Sequence, residues 1–503
     1  MKTVTAFDPR SGAACGEFAT SGVDDVREAA RAAAQAFEST EFGDTLRRAR
    51  FLDLIADRVR QRASEIIEIC SRETGLPLQR LTVEVERTSR QLSMFAEMVR
   101  AGRHLDAVID TADPDLTPVP RPDMRRMNVP IGPVAVFGAS NMPLAFGVLG
   151  GDTASALAAG CPVVIKGHPA HPGTGRLLAV IAAECVAEAG LPAGVFSYCL
   201  AADFEVGAAL AQAPEITAVG FTGSLGGGRA LSDIAAARPV PIPVYAEMGS
   251  LNPVVITEAA LRSRSTDIAD TIIGNVTAAS GQYCTKPGLL FVPAGTAGDA
   301  LVQTVADRLR QAQPCPLLSE PVKVRLTAAM EQLASSGDGT PVGESTPPSD
   351  VGYFVSPAVY VVGDGPLDAM PSAIEEYFGP IVLIRRYDST DAVLEDISRL
   401  AGQLTGTVYS DPGDDVSRIV TALCRRVGRM VFDSSPVSVV VTDAQQHGGP
   451  YPASTAAWST SVGSQAIFRF LRPVVFQNAP QGLLPAALRD DNRRSVERHR
   501  NSR

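Results

Sequence analysis

Pro133-Val-Ala-Val-Phe137-Gly-Ala-Ser-Asn141, the alanine-rich run Leu144 to Ala159, and Pro162-Val-Val-Ile-Lys166 together decide how this chain folds. The two valine-rich runs are too short for helices, and Pro133–Phe137 and Pro162–Ile165 within them are apolar throughout, as strands covered on both faces are. The segment between them has helical length and ends at Gly160. The same rhythm continues with a helix over Gly173–Ala189, strands at Val195–Tyr198 and Ala218–Phe221, a helix over Leu225–Ala237 and a strand at Val244–Glu247. Strands alternating with helices predict a doubly wound α/β unit with a parallel sheet of the nucleotide-binding, Rossmann type. Ligands of such sheets bind at the carboxyl ends of the strands. Asn141, Lys166, Gly223 and Glu247 all fall at such ends.

Upstream, the sequence reads as helices over Val23–Phe37, Thr45–Ile69 and Gln79–Arg100. The Pro- and Asp-rich stretch from Thr111 to Arg126 is a connector or edge strand. Downstream, a second βα-rich block runs from about Asn252 to Pro436, with strands near Val254, Leu289, Val355, Ile381, Thr407 and Met430. Ser335–Gly352 is the expected loop of that block, and Val474–Phe476 a short late strand. After Leu488 come six arginines, which read as a solvated, poorly ordered end.

At 503 residues the chain exceeds one ordinary core, and two or three domains are expected. A formal net charge of −10 argues against nucleic acid or an anionic membrane as partner. No apolar run has the length of a membrane span, and no basic-then-apolar leader opens the sequence. The eight cysteines are scattered without a Cys-x-x-Cys pair or zinc spacing. Reduced thiols, a cytoplasmic location and no metal site are therefore expected.

One cysteine stands apart. Ser280-Gly-Gln-Tyr-Cys284-Thr-Lys-Pro-Gly288 sets a thiol among turn formers between a helix-favouring run and a strand, where its thiolate could act as a nucleophile. Glu247 ends an apolar strand, so a raised pKa suited to a general base is expected. Asn141 carries an amide that could donate to an oxyanion. Gly223-Ser-Leu-Gly-Gly-Gly228 turns a strand into a helix and could admit a phosphate to the helix N-terminus; capping by Ser224 is the competing reading. Lys166 faces the crevice, with surface snorkelling as its alternative.

In this order, Asn141, Lys166, the 223–228 turn, Glu247-Met-Gly-Ser-Leu-Asn-Pro253, Cys284 and Glu376-Tyr-Phe-Gly-Pro380 resemble the aldehyde dehydrogenase superfamily, from Asp8 to about Leu488. Val136 to Phe146, Gly150 to Leu157, Lys166 to Thr174 and His447-Gly-Gly-Pro-Tyr-Pro452 resemble one branch of it. That branch holds the α-ketoglutarate semialdehyde (2,5-dioxovalerate) dehydrogenases and an NADP-dependent fatty aldehyde dehydrogenase. The resemblance implies Cys284 as nucleophile, Asn141 as oxyanion donor and Glu247 as the base for thioester hydrolysis. It also implies Lys166, Gly223, Ser224, Gly228, Glu376 and Phe378 around the cofactor. Pro169 stands where a ribose-binding glutamate is common, so NADP is expected over NAD, with His168, His171 or Lys166 in contact with the 2′-phosphate.

The implied division is 1–110 with 129–248 for the nucleotide, 249–445 for catalysis, 111–128 with 446–488 for bridging in a homodimer or homotetramer, and 489–503 as a flexible tail. The implied activity is oxidation of a small aldehyde, with 2,5-dioxovalerate and fatty, aliphatic or aromatic aldehydes as candidates. A coenzyme A-acylating enzyme and a non-catalytic relative are the alternatives. A protease pairing of Cys284 with His447 does not suit this context. Lys286 and Phe432-Asp-Ser-Ser-Pro436 depart from the branch pattern and mark where substrate choice is expected to differ.

Overall fold

The computed structural model describes residues 2–313, 315–343, 351–493 and 495–501. The opening βαβ stretch lies at the centre of a five-stranded parallel sheet. Its order is Phe196–Leu200, Val163–Gly167, Val134–Phe137, Ala218–Thr222, Val244–Glu247. Alternate residues serve opposite faces, as strand geometry requires. Val134, Val136, Val163 and Ile165 pack with the helices Thr45–Gln61, Leu78–Ala101 and Pro172–Glu188. Ala135 and Val164 pack with Val23–Phe37 and Phe204–Gln212 on the other side.

A seven-stranded sheet forms the second block. Its order is Gly339–Pro341, Ala358–Val362, Ile381–Tyr387, Leu289–Pro293, Val254–Ile256, Gln403–Tyr409, Val427–Phe432. Only the first pair is antiparallel among the described strands. Leu289 and Phe291 serve one core, Leu290 and Val292 the other.

A four-stranded sheet joins distant segments: Leu471–Gln477, Met124–Pro130, Ala107–Asp110 and Arg498–Asn501. Over its described residues, 489–493 and 495–501, the tail is therefore not the loose end expected. Asn501 Nδ2 donates to Asp110 Oδ1 at 2.6 Å, and Arg125 Nη1 donates to Leu488 O at 2.6 Å and Asp490 Oδ1 at 2.9 Å. These polar partners lie over 300 positions away in the chain, so arginine content alone could not reveal them.

Other expectations shift locally. The helix expected from Leu144 begins only at Gly151, because residues 141–150 form a compact turn. A Cβ on Gly147 would meet Pro143 O at 1.8 Å, which explains the glycine there. Thr45–Ile69 divides at Arg62 into two helices. A hairpin of Thr3–Asp8 and Ala13–Ala19 forms where no strands were expected. Within Ser335–Gly352, Gly339–Pro341 is a strand, and 344–350 lie outside the described residues. No described helix is long and apolar enough to cross a membrane.

Candidate active site

The helix Glu258–Thr277 runs into a short 3-10 turn, after which the chain must bend sharply to reach the strand Leu289–Pro293. Ala279, Ser280 and Gly281 all have positive φ, at 47°, 53° and 66°. Left-handed backbone at Ala and Ser costs of order 1–3 kcal/mol each and persists only where the surroundings dictate it. Here they do. Gln282 Nε2 donates to Ala279 O at 2.9 Å, and Gln282 Oε1 accepts from Leu318 N at 3.0 Å. Asn252 Nδ2 donates to Cys284 O at 2.8 Å and Lys286 O at 2.9 Å, while its Oδ1 accepts from Thr405 N and Oγ1. Asn141 Nδ2 donates to Gln282 O at 3.0 Å. The loop is thus pinned to both large sheets, with the half-buried Cys284 thiol between them.

Cys284 Sγ lies 3.4 Å from His447 Nε2, and the same nitrogen lies 2.9 Å from Glu247 Oε1. Ser461 Oγ donates to the other Glu247 oxygen at 2.6 Å. The strand Val244–Glu247 delivers the carboxylate, and residues 447–461 wrap it: Met248 N donates to Ala453 O at 2.8 Å and Ser461 N to His447 O at 2.9 Å. A small cavity with room for about one water adjoins Glu247, lined also by His447, Ser454 and Ser461. The structure therefore brings together the cysteine and histidine that the sequence reading set apart.

Burial pushes the Cys284 thiol well above its ordinary range, and the Glu247 charge adds to this; Arg87 pulls the other way. For Glu247, burial favours the neutral acid, yet the His447 charge and hydrogen bonds from His447, Ser461 and Cys284 carry it below the usual carboxylate range. The raised pKa expected at this strand end is thus overturned: an apolar strand shows the burial but not the donors folded over it. Glu247, Cys284 and His447 also place ligand atoms within 4.8 Å of one another, a cation-binding geometry that sequence spacing could not disclose.

Glu376 lies at the cleft edge with one side open to solvent, but the protein packed around it raises its carboxyl to about 7. Its charge reaches Cys284. Half-buried Phe378 follows it. Lys286, expected near the substrate, points elsewhere. Its Nζ donates to Tyr377 O at 2.8 Å and Ile381 O at 2.6 Å, bracing the Glu376 segment, and burial lowers it to about 8. Asp433 and Ser435 are likewise committed, to Arg264 at 2.9 Å and Asn275 at 2.6 Å.

At the ends of the five-stranded sheet, Lys166 Nζ donates to Ala201 O at 2.7 Å, and burial lowers its pKa. His168 stacks on His171 with ring centroids 5.6 Å apart. Burial, His171, Lys166 and Arg325 together hold His168 well below its usual range. His171 is turned inward, with Nε2 3.0 Å from Ala139 O, and so is withdrawn from the crevice. Ser224 does cap the helix Leu225–Ala236, its Oγ accepting from Gly227 N at 3.2 Å. Gly223, Ser224 and Gly226 are exposed. Gly228 is buried, and a Cβ there would meet Met248 Sδ at 2.4 Å, so helix–strand packing accounts for that glycine.

Sequence reasoning missed one polar stripe. On Leu78–Ala101, Arg80, Glu84 and Arg87 share the face turned to the site. Arg80 Nη2 donates to Asn141 O at 2.6 Å and its guanidinium lies 4.6 Å from the Tyr283 ring centroid. Glu84 Oε1 accepts from Leu144 N at 2.9 Å and Ala145 N at 3.0 Å. The available signal was Glu84 beside the apolar stripe of Leu81, Val85, Leu92 and Phe95, where an acid is out of place without partners.

The model of the aldehyde dehydrogenase family matches residues 1–461. An enzyme of Azospirillum brasilense named alpha-ketoglutaric semialdehyde dehydrogenase 2 is 42% identical, covering 100% of this chain and 96% of that protein. The alpha-ketoglutaric semialdehyde dehydrogenase of Acinetobacter baylyi is 40% identical over 94% of this chain and 90% of its own length. Among solved structures, the NAD+ complex of an aldehyde dehydrogenase from Bacillus cereus superposes with a TM-score of 0.81 at 22% identity, covering 95% of this chain and 94% of that one. A family match over most of the chain, joined by full-length relatives at 40% identity or more, makes the conclusion plain: this chain belongs to the aldehyde dehydrogenase family, as an NAD(P)-dependent oxidoreductase acting on aldehydes.

Proposed function

We propose that the protein oxidises α-ketoglutaric semialdehyde (2,5-dioxovalerate) to its carboxylate, with NADP preferred over NAD. The observation that carries the chemistry is the run of contacts from Cys284 Sγ through His447 Nε2 to Glu247 Oε1. The substrate rests on the two relatives that match nearly end to end.

A thiol raised by burial and a nearby anion needs a base to become a nucleophile. Glu247, held ionised by its donors, takes that proton, directly or by way of His447. The Cys284 thiolate then adds to the aldehyde carbon. The resulting oxyanion is received by the Asn141 amide, one such donor being worth about a hundredfold in rate. When bound, the cofactor supplies the hydride acceptor that converts the thiohemiacetal to a thioester. Once the first proton has passed from Glu247 to solvent, the carboxylate deprotonates a water drawn from the adjoining cavity; that water attacks the thioester, the C–S bond breaks, and the departing thiolate takes the proton back from Glu247.

The residues present fit a nicotinamide dinucleotide. Gly223, Ser224 and Gly226 leave the helix N-terminus of Leu225–Ala236 open for a pyrophosphate, and Lys166 and Glu376 would hold the riboses. The preference for NADP rests on charge. Lys166 and Arg325 make a positive corner around His168, and Pro169 supplies no carboxylate to oppose a 2′-phosphate. We further assign 1–110 with 129–248 to the cofactor and 249–445 to catalysis. Homo-oligomerisation is assigned to the segments within 111–128 and 446–488, and a reducing cytoplasm suits the free cysteines.

Steady-state assay with this semialdehyde tests the reading. NADPH formation without coenzyme A, abolished in Cys284→Ala, is expected, with NADP giving the higher kcat/KM. Failure to turn over with either cofactor, or acyl-coenzyme A as product, would overturn it.

A further inference from the structure

Both positions first suspected of choosing the substrate, Lys286 and Asp433–Ser435, are spent on internal bonds. The discriminating group lies instead on the helix Leu78–Ala101. We propose that Arg87 is the anchor for the carboxylate of the substrate, gripping it while the aldehyde end meets Cys284. This rests on the reading of the substrate as an aldehyde bearing a carboxylate.

Arg87 Nε and Nη2 are buried and have no hydrogen-bond partner among the described residues. These two nitrogens form one edge of the planar guanidinium, the edge that accepts a carboxylate through two parallel bonds. Leaving two cationic donors buried and unmatched is costly, so the pair is set for a ligand. Within the fold, Glu84 is the strongest charge acting on Arg87, but it forms no hydrogen bond with either free nitrogen. Glu84, one turn earlier, has one oxygen engaged by Leu144 N and Ala145 N, and no ion pair joins it to Arg87 among the described residues.

Arg87 also lies in the right place. Its guanidinium carbon sits 5.1 Å from the Phe146 ring centroid, and that ring is 6.1 Å from the His447 ring. Phe146 belongs to an apolar cluster with Ala139, Val441 and Val462, a wall along which a short carbon chain can lie. After Glu84, the charges of Cys284 and Glu247 reach Arg87, and its own reaches Cys284. The neighbouring arginines are occupied: Arg80 holds Asn141 O, and Arg429 holds Ser438 O at 2.8 Å and Pro436 O. Arg87 alone of these three offers a complete free edge.

The test separates this inference from the substrate reading. Cys284 is alkylated with iodoacetate and iodoacetamide, which differ in charge and need neither cofactor nor turnover. Any change in thiol ionisation affects both reagents and cancels in the ratio of their rates. In the intact enzyme the ratio should favour iodoacetate, and Arg87→Met should lower it about tenfold or more. In parallel, the ratio of kcat/KM for α-ketoglutaric semialdehyde to that for pentanal should fall about a hundredfold, chiefly through KM. Arg87→Lys, which keeps the charge and loses the fork, should fall between and guards against a misfolded methionine variant. An alkylation ratio unmoved in both variants would overturn the proposal even if the semialdehyde is a good substrate. If the ratio depends on Arg87 but the semialdehyde is not turned over, the anchor stands and the named substrate falls.

Discussion

Cys284 is a nucleophile placed beside a carboxylate, which opposes its own ionisation. The arrangement is useful because the same carboxylate serves twice, removing a proton from the thiol and later from water. Thiolate should therefore accumulate only above the ordinary thiol range near pH 8.5, and alkylation should keep climbing through it. The sign for Glu247→Gln follows directly. Removing the anion stabilises the thiolate, so the midpoint of the alkylation profile should move to lower pH. Steady-state turnover should nonetheless fall by about a hundredfold or more, because the base is gone. A midpoint that rises in this variant would contradict the electrostatic account. The cation geometry of Glu247, Cys284 and His447 gives a second expectation at this scale. Zn2+ should inhibit reversibly, with activity restored by EDTA, and His447→Ala should weaken that inhibition by about tenfold or more.

Among the elements, the parallel strands were the most legible, because their valine-rich runs are apolar on both faces and end at glycines or turn residues. The placement of Cys284, Glu247 and Asn141 at strand or loop ends was legible, since the topology turns those ends inward. Side-chain direction was not. Lys286 reads as a charge two residues from the nucleophile, yet it turns away to brace the strand start at Ile381. Its partners are carbonyls, and no residue type marks a carbonyl in a sequence. Arg87 was hidden for a related reason: an arginine on a helix reads as solvated until neighbouring turns close over it. The brace makes its own prediction. Lys286→Met should free the Glu376 segment: Tyr377 O keeps its bond from Gly379 N, while Ile381 O loses its lysine partner at about 1–3 kcal/mol. KM for NADP should rise about tenfold and the melting temperature should drop, while the ratio of the two alkylation rates at Cys284 stays as in the parent enzyme. A change in that ratio would place Lys286 in the substrate site after all.

At the scale of the whole molecule, the four-stranded sheet is the part least explained by one chain. It draws strands from near residue 107, near residue 124, near residue 471 and from the C-terminal end, so it ties together segments that belong to neither large sheet. Its strand Leu471–Gln477 pairs with Met124–Pro130 on one side and has no described neighbour on the other. Unpaired backbone donors and acceptors along a strand invite a further strand. Val475 is 49% exposed on this edge and Leu483 beyond it is 77% exposed, a cost that a second copy of the chain would remove. The proposed oligomer is therefore expected to form along this edge. Val475→Asp puts a charge where an apolar contact is needed while leaving both catalytic sheets intact. Light scattering behind a sizing column should show the parent protein as a dimer or tetramer and the variant shifted to smaller species at micromolar concentration. If the variant keeps the parent mass, the edge is not the joint, and the exposed surface around Leu483 becomes the next place to introduce a charge.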